Sequence, residues 1–317
     1  MTLASRLGEL RLAPDGRPRP DAPFGRGPLA ARVLRAAIHV ASAGSAALPA
    51  SVAHRLAVVG GTIEWAARPS KRRQLAANLS HAVGRQPDDP YVTELVRREV
   101  VNEARRSVDL LWALRRGDEL IASTEVVGKE NIATALSHGK GMLLVSPHLG
   151  GWEVATALPT QVVPVPTTAI VTDDWIAWAV AGLRRDAGLG ILYDTEPLTR
   201  AVRLLRRGEA LLVLGEYAKD SMRTYPVRLL DGVAELPAGP AALARLCGSP
   251  IVPFTVLPLA PRRWQVVIEP PLVPRSRTGG VEAEQGLLQE LADRWTVTLR
   301  ENAEHWAAVY PMTWRAS

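Results

Sequence analysis

From Leu29 to about Arg116 the apolar positions recur at helical spacing. The clearest case runs from Val92 to Leu114, where Leu95, Val96, Val100, Ala104, Val108, Leu111 and Trp112 share a face. Asp88, Asp89 and Pro90 just before it supply start signals. Beyond residue 120 the pattern changes to short apolar runs alternating with helices. Strands are expected at 141–146, 168–171, 190–193, 210–214, 251–257 and 265–268. Helices are expected from about Gly151 and over 174–187, 197–207, 239–246 and 282–303. Such alternation implies a mostly parallel central sheet flanked by helices, an α/β fold, with the N-terminal helical portion packed on it. Residues 1–28 carry five arginines among five prolines and cannot bury apolar area, which predicts a flexible basic arm. Residues 29–317 then form a single domain, helical over 29–118 and α/β over 119–317.

Composition narrows the function. At 317 residues with 47% hydrophobic and 22% charged positions, the chain can build a substantial core. Lys plus Arg number 38 against 32 acids, a net charge of +6. The lysines are only Lys71, Lys129, Lys140 and Lys219, and arginine is the better match to phosphate oxygens. Nine tryptophans against two phenylalanines suggest half-wet positions such as interfaces. Nucleic acid, anionic lipid and phosphorylated small molecules stay open on these grounds. The single Cys247 excludes an internal disulfide framework and any multi-cysteine zinc site. No long apolar run and no leader pattern is visible, so a cytoplasmic protein is expected. The stretch from Ala36 to His54 could lie on a membrane without crossing it.

The chemistry concentrates in Ser146-Pro147-His148-Leu149-Gly150-Gly151-Trp152-Glu153. His148 falls where a strand ends, and Gly150-Gly151 permit a tight turn into the next helix. In open α/β sheets ligands bind at this carboxyl edge. Glu153, five residues on, could accept the N–H of one imidazole nitrogen and leave the other as a base. Free backbone N–H groups at the helix end could hold an oxyanion. A structural histidine and an acid that merely complements a helix dipole are the plain alternatives.

The run from Ala135 to Leu144 followed by His148 to Glu153 resembles the H-x4-D/E block of bacterial lipid A late acyltransferases. It is closer still to their actinobacterial relatives, the phosphatidylinositol mannoside acyltransferases. Arg72-Arg73-Gln74-Leu75-Ala76-Ala77-Asn78-Leu79 is similar to their basic R-x-x-L-x-x-N-L helix. Leu236–Ala244 followed by Pro250–Pro253 resembles their Pro-Gly-Pro helix start and P-x-x-P strand, and Tyr310-Pro311-Met312-Thr313-Trp314 their final element. The resemblance spans residues 55–315 and implies a glycerol-phosphate-acyltransferase type of fold.

It implies transfer of a fatty acyl group from acyl-CoA or acyl carrier protein to a hydroxyl of a membrane glycolipid, phosphatidylinositol-mannoside-like. His148 would be the general base and Glu153 would stabilise the imidazolium, with no acyl-enzyme. Glu216 matches the first acid of a D-x-D element whose second acid is missing; it supports His148, binds acceptor, or is a solvated loop residue. Gly150, Gly151, Trp152, Arg184 and Gly239 fall where the resemblance implies substrate binding, although Arg184 or Arg185 also reads as an exposed helix face. Cys247 reads as packing. No metal and no cofactor beyond the acyl donor is implied.

Two departures bear on the acceptor. Asp173-Asp174 stand where relatives commonly carry basic residues, and Leu229-Leu230-Asp231-Gly232 replaces an F-F-G element. A related enzyme that acylates a soluble natural product from a carrier protein is therefore the alternative, and a non-catalytic lipid-binding protein is a further one. Basic clusters at 71–73, 97–98, 105–106 and 115–116, with Trp65 and Trp112, suit peripheral attachment to an anionic leaflet on the inner face of the plasma membrane, or else ordinary solvated helices. No nucleic-acid-binding motif is present.

Overall fold

The computed structural model describes residues 28–153, 162–274 and 280–315. The expected basic arm, apart from Pro28, lies outside these residues, as does the helix expected after the 151–153 turn. Four helices come first: α1 (Pro28–Ala47), α2 (Ala50–Ala67), α3 (Pro69–Val83) and α4 (Pro90–Ala113). Their boundaries follow from local chemistry. Asp89 caps α4 by accepting from the Tyr91 N–H at 2.7 Å, and Pro90 occupies the first turn, where no N–H is needed. Gly84 ends α3 in the left-handed conformation, φ 63°.

A short helix α5 (Gly117–Ser123) leads to strand β1 (Thr124–Val127), then α6 (Glu130–Leu136) and β2 (Met142–Ser146). The described chain continues through β3 (Thr167–Val171), α7 (Trp175–Asp186), β4 (Gly190–Tyr193), α8 (Leu198–Arg206) and β5 (Ala210–Leu214). A hairpin follows, β6 (Thr224–Leu229) and β7 (Gly232–Pro237), then α9 (Gly239–Cys247), β8 (Ile251–Ala260), β9 (Arg263–Ile268), α10 (Gly280–Glu301) and β10 (Trp314–Arg315).

The central sheet has seven strands in the order β1-β9-β8-β2-β5-β3-β4. Every neighbouring pair is parallel except β8–β9, so the sheet is mostly parallel and helix-flanked as expected. Alternation on β2 sends Leu143 and Val145 into one buried layer and Met142 and Leu144 into the other. The first layer lies under α3, α4, α9, α10 and the β6–β7 hairpin, and the second under α6, where side chains from β8 and β9 of the same sheet join it. Each fully buried leucine there stabilises the fold by roughly 1.5–3 kcal/mol.

The separate antiparallel sheet, β10-β7-β6, was not expected from the sequence. Its strands alternate, with Tyr225, Val227, Leu229, Ala234 and Leu236 inward and Pro226, Arg228 and Glu235 between them, and Pro226 is tolerated because β6 pairs on one side only. Trp65, Trp152, Trp178 and Trp314 are half-buried, as expected of half-wet positions, but the other described tryptophans are not. Trp264, Trp295 and Trp306 are fully buried, and Trp112 nearly so, because their large apolar bodies fill the core between layers.

Candidate active site

Strand register brings the two central side chains together. In the parallel β2–β5 pair, Ser146 stands opposite Leu214, and His148 and Glu216 each follow two residues later. Gly215 donates its N–H to the Ser146 carbonyl at 3.0 Å, which prolongs the pairing beyond the strand ends. Both residues are buried at the carboxyl edge of the sheet. Glu216 Oε1 lies 2.7 Å from His148 Nδ1 and also accepts the His148 backbone N–H at 2.8 Å.

The partner of Nδ1 is thus Glu216, in the support of His148 that is one of its three sequence readings, and not Glu153, which the spacing offers for that bond. A carboxylate just beyond the neighbouring strand reaches the ring directly; Glu153 sits in the turn after Gly150-Gly151, and its charge also acts on His148. Burial raises the Glu153 carboxyl above the ordinary carboxylate range, against the pull of Arg106 and His148. Burial would raise Glu216 too, but the His148 charge and the hydrogen bonds from its ring and backbone hold it below that range.

The expected oxyanion donors are also differently employed. The N–H groups of His148, Leu149, Gly150 and Gly151 go to Glu216, Pro147, His305 and Val256 respectively. Gly150, at φ 61°, lets the turn press against β8, and a side-chain carbon there would collide with the Val256 carbonyl. Gly151 is packed against the Trp264 ring just as tightly. The two glycines therefore shape the turn. Trp152 stands edge-on to His148, ring centroids 5.1 Å apart.

Arg184 joins this neighbourhood and Arg185 does not. Burial lowers the Arg184 guanidinium, while Glu153, Tyr193, Asp174 and Tyr310 act on it with the opposite sign. Its Nη1 is buried without a hydrogen-bond partner, whereas Arg185 is exposed. Gly239 is exposed in the first turn of α9, with nothing within 4 Å of where a side chain would begin. Cys247 is buried in the core.

Tyr310 is a site residue that sequence reasoning did not single out. Its ring lies 4.5 Å from that of His148 and stacks on Tyr217 at 5.0 Å. Burial, followed by the charges of Glu216, Glu153 and Asp174, pushes its phenol up to about 12, so it keeps its proton. The acidic flank beyond β3 is internally satisfied. Asp173 accepts from the Trp178 indole N–H at 2.8 Å and the Thr195 hydroxyl at 2.6 Å, and Asp194 pairs with Lys219.

A buried imidazole with one nitrogen fixed by a carboxylate, at the ligand-binding edge of an α/β sheet, can take a proton from a bound hydroxyl at the other nitrogen. The sequence profile of bacterial lipid A biosynthesis acyltransferases matches residues 32–311. The chain belongs to that family and is an acyltransferase of lipid biosynthesis. It is similar to the phosphatidylinositol mannoside acyltransferase of Mycolicibacterium smegmatis (strain ATCC 700084 / mc(2)155), 27% identical over 277 residues and covering 84% of each chain. Among solved structures, the 1-acyl-sn-glycerophosphate (LPA) acyltransferase PlsC from Thermotoga maritima aligns at a TM-score of 0.37 and 14% identity, over 78% of this chain and 98% of its own.

Proposed function

We propose that this chain transfers a fatty acyl group from a thioester, acyl-CoA or acyl carrier protein, to a hydroxyl of a phosphatidylinositol-mannoside-like glycolipid. The observation that carries the reading is the 2.7 Å contact between Glu216 and His148 Nδ1. It fixes the proton on Nδ1 and leaves Nε2 as the base. Nε2 takes the acceptor proton as the hydroxyl oxygen attacks the thioester carbonyl, and the Glu216 charge offsets the one gained by the ring. The C–S bond then breaks, and the departing sulfur takes that proton from Nε2. No acyl-enzyme forms. Arg184, with Trp152 beside His148, lines the acceptor side.

Family membership and the M. smegmatis relative support a lipid acceptor. Work at the inner face of the plasma membrane, as a peripheral protein, agrees with the exposed apolar residues Leu29, Val33 and Val40 of α1 and Val52, Leu56, Val59 and Ile63 of α2. Among the described residues no helix is long and apolar enough to cross a membrane. The basic clusters contribute less than their sequence suggests. Lys71 pairs with Glu64 and Glu103, Arg97 and Arg98 with Glu94, Arg106 with Glu99, and Arg116 with Glu119. Trp112 is buried and cannot reach a leaflet.

The acidic positions Asp173, Asp174 and Asp194 favour a second reading, transfer to a soluble hydroxyl compound from a carrier protein. Incubating the protein with acyl-CoA or acyl carrier protein and each acceptor class, with mass spectrometry of products, decides between them. Loss of roughly 10²–10⁴-fold in rate is expected for His148→Ala. Full transfer by that variant would sink the mechanism.

A further inference from the structure

Helix α4 carries an unusual buried polar stripe: Glu99, Asn102, Arg106 and Asp109 are all buried, spaced to share a face. Part of it lines a cleft of about 470 Å³ between α2, α4, the end of the β8–β9 hairpin and residues 304–305. The size suits a small-molecule ligand. The cleft lies beyond the carboxyl end of β8, the strand beside β2, and so shares the sheet edge with His148. Its wall touches the catalytic turn itself. Trp264 packs on Gly151, and the His305 carbonyl accepts the Gly150 N–H at 2.8 Å.

The lining is basic and its donors are under-used. Arg55, Arg105, Arg106, His54 and His305 face the cleft against two acids, Asp109 and Glu304. Asp109 is occupied by His54 Nε2 at 2.8 Å and the Arg262 N–H at 3.1 Å, and Glu304 pairs with Arg98 at 3.6 Å. Arg106 is only 6% exposed, and Glu99 at 3.0 Å takes one of its nitrogens. Its Nη1 has no partner, nor do Arg105 Nε, Trp264 Nε1 and His305 Nδ1, four buried nitrogens around one cleft. Burial, then Arg106 and Arg105, lowers His305 to about 4, so this ring is neutral and the positive charge of the lining rests on its arginines. Buried donors normally find partners, and a cluster of unmet ones beside two guanidiniums calls for an anion.

We propose that this cleft binds the phosphate of the thioester donor's pantetheine arm. The proposal rests on the thioester reading above and names the part of the donor that coenzyme A and an acyl carrier protein have in common. A phosphate suits this flank of His148, because the opposite flank presents the carboxylates of Asp173, Asp174 and Asp194, of which Asp194 pairs with Lys219. A donor always brings that phosphate, whereas a hydroxyl acceptor need not.

The test is calorimetric binding of coenzyme A, phosphopantetheine and pantetheine to the full-length protein, without turnover. Phosphopantetheine and coenzyme A are expected to bind about tenfold or more tighter than pantetheine, as one to two charge-assisted hydrogen bonds provide. Arg105→Gln and Arg55→Gln, both less buried than Arg106, should shrink that ratio severalfold while leaving pantetheine affinity and the melting temperature unchanged. A preference for coenzyme A over phosphopantetheine that both variants remove also supports the site and extends it to the nucleotide phosphates. Equal binding of phosphopantetheine and pantetheine to the wild type overturns the proposal, as does a ratio that neither variant changes. So does a loss of discrimination confined to phosphorylated against dephosphorylated acceptors. If no thioester supports transfer yet phosphate-dependent binding persists and needs Arg105, the cleft stands and the thioester reading falls. If transfer from acyl-pantetheine matches that from acyl-phosphopantetheine, the thioester reading stands and the cleft proposal falls.

Discussion

The carboxamide of Asn78 holds the backbone of Tyr310. Its nitrogen donates to the Tyr310 and Ala308 carbonyls, each at 2.7 Å, and its oxygen accepts the Trp314 indole N–H at 3.0 Å. Through this one buried residue of α3 the C-terminal tail is fixed so that the Tyr310 ring lies against His148. The same tail segment binds the loop that carries His148, since the Ala307 N–H donates to the His148 carbonyl at 2.8 Å.

Asn78→Ala should therefore act at two levels. It leaves two carbonyls and an indole N–H to find new partners, and a loss of roughly 2–4 kcal/mol in unfolding free energy is expected. Urea unfolding followed by tryptophan fluorescence reads this directly, because Trp314 is one of the released groups. Transfer should fall as well, at temperatures where the variant is still folded, since Tyr310 no longer backs the imidazole. A variant of unchanged stability would show that the tail is held by its other contacts.

Glu216→Gln separates orientation from charge. The wild-type carboxyl sits below its ordinary range, so it contributes stability that is present above its unfolded value, about 4.3, and lost as pH falls through the folded value. The difference in stability between wild type and Glu216→Gln should accordingly be largest at neutral pH and shrink in acid. The amide still reaches the ring but brings no charge, and a rate loss of roughly 10²–10⁴-fold is expected. Parallel melting curves of the two proteins from neutral pH down to about pH 3 check the sign of the effect. A constant difference across that range would mean that the Glu216 charge contributes nothing to the folded state.

The glycines of the site divide sharply. Gly150→Ala forces a side chain into the left-handed region and onto the Val256 carbonyl, and should cost about 2–5 kcal/mol. Gly239→Ala meets open space in a first helical turn and should be neutral or stabilising by up to about 1 kcal/mol. Comparing the two unfolding midpoints and rates tests whether the first glycine is steric and the second dispensable. A stable, active Gly150→Ala protein would contradict the geometry of the turn.

What the sequence conveyed was largely local. Apolar runs and helix signals located β2, β5, β8 and α4, and the resemblance gathered His148, Glu153 and Glu216 into one neighbourhood. Which acid meets Nδ1 was not legible, because it depends on Ser146 standing opposite Leu214 across two parallel strands. The same limit hid Tyr310, whose approach to His148 depends on tail contacts with Asn78, His148 and Leu149. Spacing suggested helix-end N–H groups for an oxyanion, but packing of the turn against β8 and the tail engages those of residues 148–151. The arginine clusters depend on neighbours in the same way. Lys71, Arg97, Arg98, Arg106 and Arg116 each pair with an acid of the same or an adjacent element.

That pairing shifts the expected membrane contact from charge to apolar surface. Val52, Leu56, Val59 and Ile63 recur along α2 at spacings of four, three and four, and all are exposed. Leu29, Val33 and Val40 of α1 are exposed as well, so two helices present apolar side chains that make little use of the core. Each large aliphatic side chain moved from water into a leaflet contributes about 1.5–3 kcal/mol. Leu56→Asp combined with Ile63→Asp should thus reduce flotation with anionic liposomes by about tenfold or more, because both the apolar gain and the charge change oppose binding. Since neither side chain is buried in the fold, the melting temperature should stay within about 2 °C of wild type, which separates loss of docking from loss of structure. Flotation equal to that of wild type would remove this face as the docking surface.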